Sequence, residues 1–216
     1  GFTAAMPLVQ RSAGAAAQEA AGESITIVLP AEPRTLENWQ AYSFDAHPIL
    51  RNVQEALLNR DPETNELVGE LATAWEQTDP LTWRFTLREG VTFHDGTPFN
   101  AEAAAIGLNY TWSAENAFEI RQFLGPELEA TAVDELTLDV TTAEPDPILP
   151  ARLYFSPLPS PAQIENDPES MIATPIGTGP YQFVEWARGE RIVLTAYPEW
   201  WGNADPEAAF GTVTIN

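Results

Sequence analysis

The chain has 216 residues, seven Trp and ten Phe with 44% hydrophobic content, enough for a sizeable core and too much for a disordered segment. Its 32 acidic residues outnumber the ten basic ones, all Arg, leaving a formal charge of −22 that excludes nucleic acid and anionic membranes as direct partners. No Cys is present, so disulfides, thiolate zinc sites, a Cys nucleophile and lipid attachment through Cys are all excluded.

In chain order, GFTAAMPLV and the small-residue stretch from Ser12 to Ala21 read as the tail of a secretory signal peptide, or as an Ala-rich disordered leader over residues 1–23. No run reaches the roughly 18 apolar residues of a membrane span. Ser24 to Leu29 is β-branched and apolar, a buried strand ended by Pro30 and Pro33. Asp45 is placed to cap a helix with Ile49, Leu50, Val53 and Leu57 on one face. A loop over Asp61 to Asn65 precedes a short strand at Glu66 to Gly69.

The next block combines hairpin, turn and helix. Trp83, Phe85 and Leu87 alternate with Arg and Thr, the period of a half-buried strand, and Asp79-Pro80 marks the turn before it. His94-Asp95-Gly96-Thr97-Pro98 is a second turn with Gly96 free to take positive φ. Asn100 then caps a helix running to Trp112. Trp75, Trp83, Phe85 and Phe93 are expected in the core. Ser113 or Asn116 starts a further helix carrying Phe118, Phe123 and Leu124. Hairpins are expected around Asp134-Glu135 and across Arg188-Gly189-Glu190. The Pro-rich stretch 145–161 is irregular, with one helical turn near Ile148 to Leu153, and Gly211 to Asn216 is a strand.

Chemistry-bearing groupings are weak. Gly177-Thr178-Gly179-Pro180-Tyr181 is no phosphate loop, because Lys is absent and a strand follows it; the glycines instead permit close backbone approach. His47 and His94 are too few for an all-protein transition-metal site, and His94 is expected at the surface or bonding within its turn. Glu127 and Glu129 share one face of a strand, the spacing of a solvated face more than of a hydrolase pair. No G-x-S-x-G elbow exists. The acidity fits an Arg-for-Lys, high-GC solvated surface, adaptation to high salt, or a preference for cationic solutes. Neither a cofactor nor a metal is implied.

Two blocks, LATAWEQTDPLTWRFTLREGVTFHDGTPFNAEAAA at 71–105 and PIGTGPY at 175–181, with the Trp200-Trp201 pair after them, resemble the peptide/nickel solute-binding proteins of ABC importers, family 5. The resemblance runs from about Ser24 to Asn216. It departs where Ala103 follows A-E, in a shortened T-D-P hairpin turn, and where Tyr197 and Trp200 stand in the N-P-x-Y-W element. It implies an α/β lobe of the class II periplasmic-binding-protein type over 24–216, with a β-rich subdomain at about 48–170 and a second lobe beyond this chain. It also implies a monomeric, non-enzymatic, periplasmic or extracytoplasmic receptor whose partners are a small solute, a peptide above all, and the membrane subunits of an ABC permease. Tyr42, Ser43 and Phe44, in the loop after the first strand, are candidate ligand contacts. Phe118 and Phe123, and Tyr154, Phe155 and Ser156, lie in regions that approach the ligand in the family. A secreted carbohydrate-active enzyme and an extracytoplasmic sensory module are the alternatives.

Overall fold

A computed structural model describes residues 24–37, 45–113, 116, 118, 120, 124–203 and 212–216. Two antiparallel-rich sheets and one small ribbon are built along the chain. The first sheet joins the two ends of the sequence. Its order is β1 (Ser24–Ile27), β10 (Thr212–Ile215), β9 (Arg191–Ala196) and β8 (Tyr181–Ala187), with only β1 and β10 parallel. Helix α1 (His47–Val53) covers it with Ile49, Leu50 and Val53, which share a core with Leu36, Ile192, Leu194, Val213 and Ile215.

The helix starts later than the sequence suggests. Asp45 does not cap it: Ala46 is the N-cap, no side chain bonds there, and Pro48 with its preset φ starts the first turn. Leu57 is buried but lies past the helix, in the other core.

That second core belongs to the middle of the chain. The strands β4 (Ala72–Asp79), β5 (Thr82–Leu87), β7 (Thr137–Thr142) and β6 (Leu128–Ala132) form an all-antiparallel sheet in that spatial order. Phe85 and Leu87 point inward, and Phe93 beyond them is fully buried, as their alternation requires. Trp75 and Trp83 are only half-buried and pack on the core from its margin, Trp83 Nε1 donating to the Asp146 carbonyl at 3.1 Å. Arg84 and Asp139, opposite each other in the register, form a bidentate pair at 2.7 Å.

The helix α2 (Ala101–Trp112) lies on this sheet. Asn100 Oδ1 accepts from the Ala103 amide at 2.9 Å, the expected cap. Its buried face is mostly Ala and Gly, which brings the helix close enough for Asn109 to bond both backbone groups of Ala130. Those groups face away from β7, so Asn109 covers the open edge that β6 presents.

The ribbon of β2 (Leu58–Arg60) and β3 (Leu67–Gly69) closes the loop at Asp61 to Asn65, where Asn65 takes a φ of 60°. The Pro-rich stretch holds α3 (Leu149–Leu153) and, beyond expectation, α4 (Pro161–Asn166) followed by a 3-10 turn at Pro168–Ile172. Ser160 starts α4, its Oγ accepting from the Gln163 amide at 3.4 Å. The helix expected around Phe118, Phe123 and Leu124 falls largely outside the described residues. No described helix is long and apolar enough to cross a membrane.

Candidate functional site

The two sequence blocks meet each other in space. The turn at His94 and the loop at Gly177 to Gly179 are joined by the His94 amide donating to the Gly177 carbonyl at 2.8 Å and by His94 Nε2 bonding the Gly179 carbonyl at 2.9 Å. Because a carbonyl can only accept, Nε2 carries the proton in the neutral ring. Expected at the surface or bonding within its turn, His94 is half-buried and bonds across to the Gly-rich loop instead, with the Tyr197 ring packed edge-on at 4.8 Å. Burial lowers its pKa, against the opposing effect of the Gly179 carbonyl and of Asp95. It is a structural group of the joint.

Glycine is required in the loop for contact, not for φ. A Cβ on Gly177 would land on the Val53 carbonyl oxygen, and one on Gly179 would sit 2.6 Å from that of Asn52. This close approach lets the Gly179 amide donate to the Val53 carbonyl at 2.9 Å, tying the loop to the end of α1.

Beneath the joint lies a buried acidic pair that sequence reading did not single out. Glu55, 2% exposed, accepts from Trp200 Nε1 at 3.0 Å, Trp201 Nε1 at 2.8 Å and Thr178 Oγ1 at 2.9 Å. Its backbone carbonyl takes the Leu158 amide at 2.8 Å. One residue thus collects the Gly-rich loop, the Trp pair and the segment before α4. Glu70 alongside receives both of its Arg51 bonds from one nitrogen, at 3.0 and 2.8 Å, with the Ala56 amide and Asn59 Nδ2 at 2.8 Å each. Arg88 donates to the Glu70 carbonyl and stacks its guanidinium 3.8 Å from the Trp201 ring centre. Burial, and then the neighbouring Glu70, push the Glu55 carboxyl up to about 7, against the three donors that favour its charged form.

The ligand-contact candidates divide. Tyr42, Ser43, Phe44 and Phe123 lie outside the described residues. Phe118 is half-buried against Tyr110, ring centres 5.4 Å apart. Tyr154 and Phe155 are half-buried and edge-on to each other at 4.9 Å, with His47 6.1 Å from Tyr154. Ser156 is 1% exposed and its Oγ meets no hydrogen-bond partner. The structure therefore brings Tyr154 and Phe155 together, and places Phe118 with Tyr110 as a separate aromatic pair.

Glu37 was also missed. It ends the described segment 24–37, 2% exposed, with Oε2 unpartnered. The segment is fastened by the Leu36 amide donating to the Ile172 carbonyl at 2.8 Å, and within it the Glu37 amide donates to Thr35 Oγ1 at 3.0 Å. Burial alone pushes its carboxyl up to about 7. Nothing in a chain so rich in acid marks one Glu as buried; only the adjacent Leu36 hints at it.

These two carboxyls give the fold a pH dependence of defined sign. Below about pH 4.5 they are protonated in folded and unfolded chains alike and cost nothing. As pH rises through about 7, the folded state must ionise groups that the unfolded chain ionised earlier, so stability falls across that window. Asp61, Asp79 and Asp134, held low by backbone and side-chain donors, act in the opposite sense near or below pH 4, and the buried His47, held at about 4, and His94, also lowered, offset part of the fall as pH rises toward 6.5. The urea midpoint is expected to drop between pH 5 and pH 8. Glu37→Gln should flatten that drop, gaining about 1 kcal/mol at pH 8 and little at pH 5. An unchanged pH profile in the variant would refute the assignment.

Among the described residues no group of three or more His, Asp or Glu is placed to hold a metal ion. The arrangement is a hydrogen-bonded joint that holds the Gly-rich loop, the Trp pair and the end of α1 against one another.

The model of the bacterial extracellular solute-binding proteins, family 5 Middle, matches residues 66–216. Protein XP55 of Streptomyces lividans is 32% identical over 198 residues, covering 88% of this chain and 35% of its own. The periplasmic oligopeptide-binding protein OppA of Salmonella typhimurium is 28% identical over 229 residues, covering 91% of this chain and 41% of its own. NikZ from Campylobacter jejuni, solved in complex with Ni(L-His), superposes with a TM-score of 0.78 at 25% identity over 89% of this chain and 38% of its own. Unliganded open MppA, the periplasmic murein tripeptide-binding protein, has a TM-score of 0.77 at 23% identity over 90% and 41%, a likeness of fold alone. The chain thus spans roughly two fifths or less of the length of these relatives.

Proposed function

The chain belongs to the bacterial extracellular solute-binding proteins of family 5, and from that premise we infer that it is part of the substrate-binding component of an ABC importer, capturing a short peptide outside the cytoplasm for delivery to a membrane permease. The observation that carries this reading is the family match across residues 66–216, which includes both joined blocks and the Trp pair locked on Glu55. Relatives named for oligopeptide and murein peptide binding support the peptide.

The physical logic is that of a receptor. Residues 24–216 form the N-terminal lobe in this reading, with a subdomain at about 48–170. Glu55, the Gly-rich loop and Trp200-Trp201 hold its parts in one geometry, so a closing second lobe meets a pre-formed wall. Tyr154, Phe155 and Phe118 supply aromatic surface on that wall in this reading, and Tyr42, Ser43 and Phe44 are proposed as further ligand contacts. Rigidity of the wall puts the cost of ordering into folding and not into each binding event.

A nickel–amino acid complex is the second reading, supported by the likeness to NikZ. The two differ in what the whole protein retains. Recovery of an unaltered bound peptide supports the first, and retention of nickel only together with histidine supports the second.

A further inference from the structure

Two arginines and a histidine surround the Tyr154 ring. The guanidinium carbon of Arg51 lies 5.2 Å from its centre and that of Arg60 5.8 Å, while the His47 ring is 6.1 Å away. This gathering is notable in a chain of net charge −22 with ten basic residues in all. Tyr154 and Phe155 remain half-exposed, so the cluster is open to solvent on one side.

The three basic residues are not equivalent. Burial, and then the neighbouring Arg51, hold the His47 pKa at about 4, so it is neutral at pH 7. Arg51 has its charge matched by Glu70, both carboxylate oxygens lying on one terminal nitrogen; its other terminal nitrogen, Nη1, is buried with no hydrogen-bond partner. Arg60 donates to the Asn65 carbonyl at 2.9 Å and forms no ion pair with a carboxylate of the described residues.

The geometry points to a carboxylate-binding subsite at Tyr154, in which Arg60 supplies the charge, the Tyr154 ring holds the two guanidinium groups in place, and Arg51 Nη1 is the donor left to be satisfied. A cation is excluded there by the guanidinium groups themselves. The wider acidity of the chain does not prevent an anion from binding, because charges beyond about 8 Å are largely screened at physiological salt, and Arg60 acts inside that range. A guanidinium fork also matches a carboxylate better than a point charge does. Such a subsite gives the receptor a way to fix the direction of an extended peptide, its acid end or an acidic side chain being anchored on this lobe. It rests on the solute-receptor reading above.

The test uses the complete protein, titrated calorimetrically with trialanine, its C-terminal amide, and a tripeptide amide bearing one Glu. Wild type is expected to bind trialanine about tenfold more tightly than the amide, the size of one charge-assisted contact. In Arg60→Gln the acid should fall to the affinity of the amide, and Arg60→Lys should restore part of the difference. If the Glu-bearing amide, and not trialanine, shows the preference and its loss in Arg60→Gln, the subsite takes a side-chain carboxylate. Tyr154→Leu, which leaves Arg60 charged, should weaken acid binding severalfold and keeps the test open if Arg60→Gln folds poorly. A preference for acid that survives in Arg60→Gln, or no preference in wild type, overturns the subsite and leaves the receptor reading intact. Failure of every peptide to bind overturns the peptide reading and this subsite with it.

Discussion

Glu55→Ala is expected to cost about 3–5 kcal/mol of folding stability, read as a fall in the urea midpoint at unchanged slope. The substitution strands three donors at once: Trp200 Nε1, Trp201 Nε1 and Thr178 Oγ1, all directed at one buried carboxyl. Each buried donor without a partner costs about 1–3 kcal/mol. Relief of the repulsion between Glu55 and Glu70 offsets part of this, since Glu70 contributes to holding the Glu55 carboxyl up at about 7. Glu55→Gln keeps the shape and one acceptor but turns an amide N–H toward other N–H or O–H groups, and should cost about 2 kcal/mol. Loss of less than 1 kcal/mol in the alanine variant would mean that the Trp pair is held by packing, and that Arg88 stacked on Trp201 suffices.

Gly177→Ala is expected to be nearly as damaging, at about 3 kcal/mol or more. Its Cβ falls on the Val53 carbonyl oxygen and within 2.7 Å of the Gln54 Cα, both backbone, as well as 2.6 Å from the Gln54 Cγ, so moving that side chain alone does not relieve the clash. The loop must retreat from α1, which breaks the Gly179 amide bond to the Val53 carbonyl and loosens the His94 contacts on both glycine carbonyls. A contrasting substitution, Gly90→Asn, meets no atom within 4 Å at a φ of +76° and is expected to cost well under that amount. Equal damage at both positions would show that backbone freedom, and not the contact, is what Gly177 provides.

Legibility in the sequence followed the range of the interactions. The hairpin turn at Asp79-Pro80, the cap at Asn100 and the hairpin across Arg188-Gly189-Glu190 are set by residues within a few positions of one another, and the structure has each where the sequence puts it. Helix α4 and the 3-10 turn after it went unread because their prolines sit at helix starts, which composition alone does not distinguish from a Pro-rich loop. The hub at Glu55 is made by partners 123, 145 and 146 positions away. In a chain with 32 acidic residues no local signal separates it from solvated ones. His94 went the same way, its turn being readable and its burial against the Gly-rich loop not.

The candidate wall was legible only as regions. Tyr154 and Phe155 were picked out from their place in the family pattern, yet the arginines that surround Tyr154 come from α1 and β2, in a part of the sequence where nothing pairs them with it. Sequence periodicity reports which face of an element is buried; it does not report which elements share that face.

The measurement that bears most directly on the account is recovery of ligand from the complete protein. The purified protein is incubated with an equimolar mixture of short peptides, oligosaccharides and nickel–histidine, separated from free solute, denatured, and its bound material identified by mass spectrometry. The account predicts unaltered peptide at about one molecule per protein, because the receptor role proposed for it is capture without turnover. Recovery of a cleaved product, or retention of an oligosaccharide in place of any peptide or nickel complex, would contradict it.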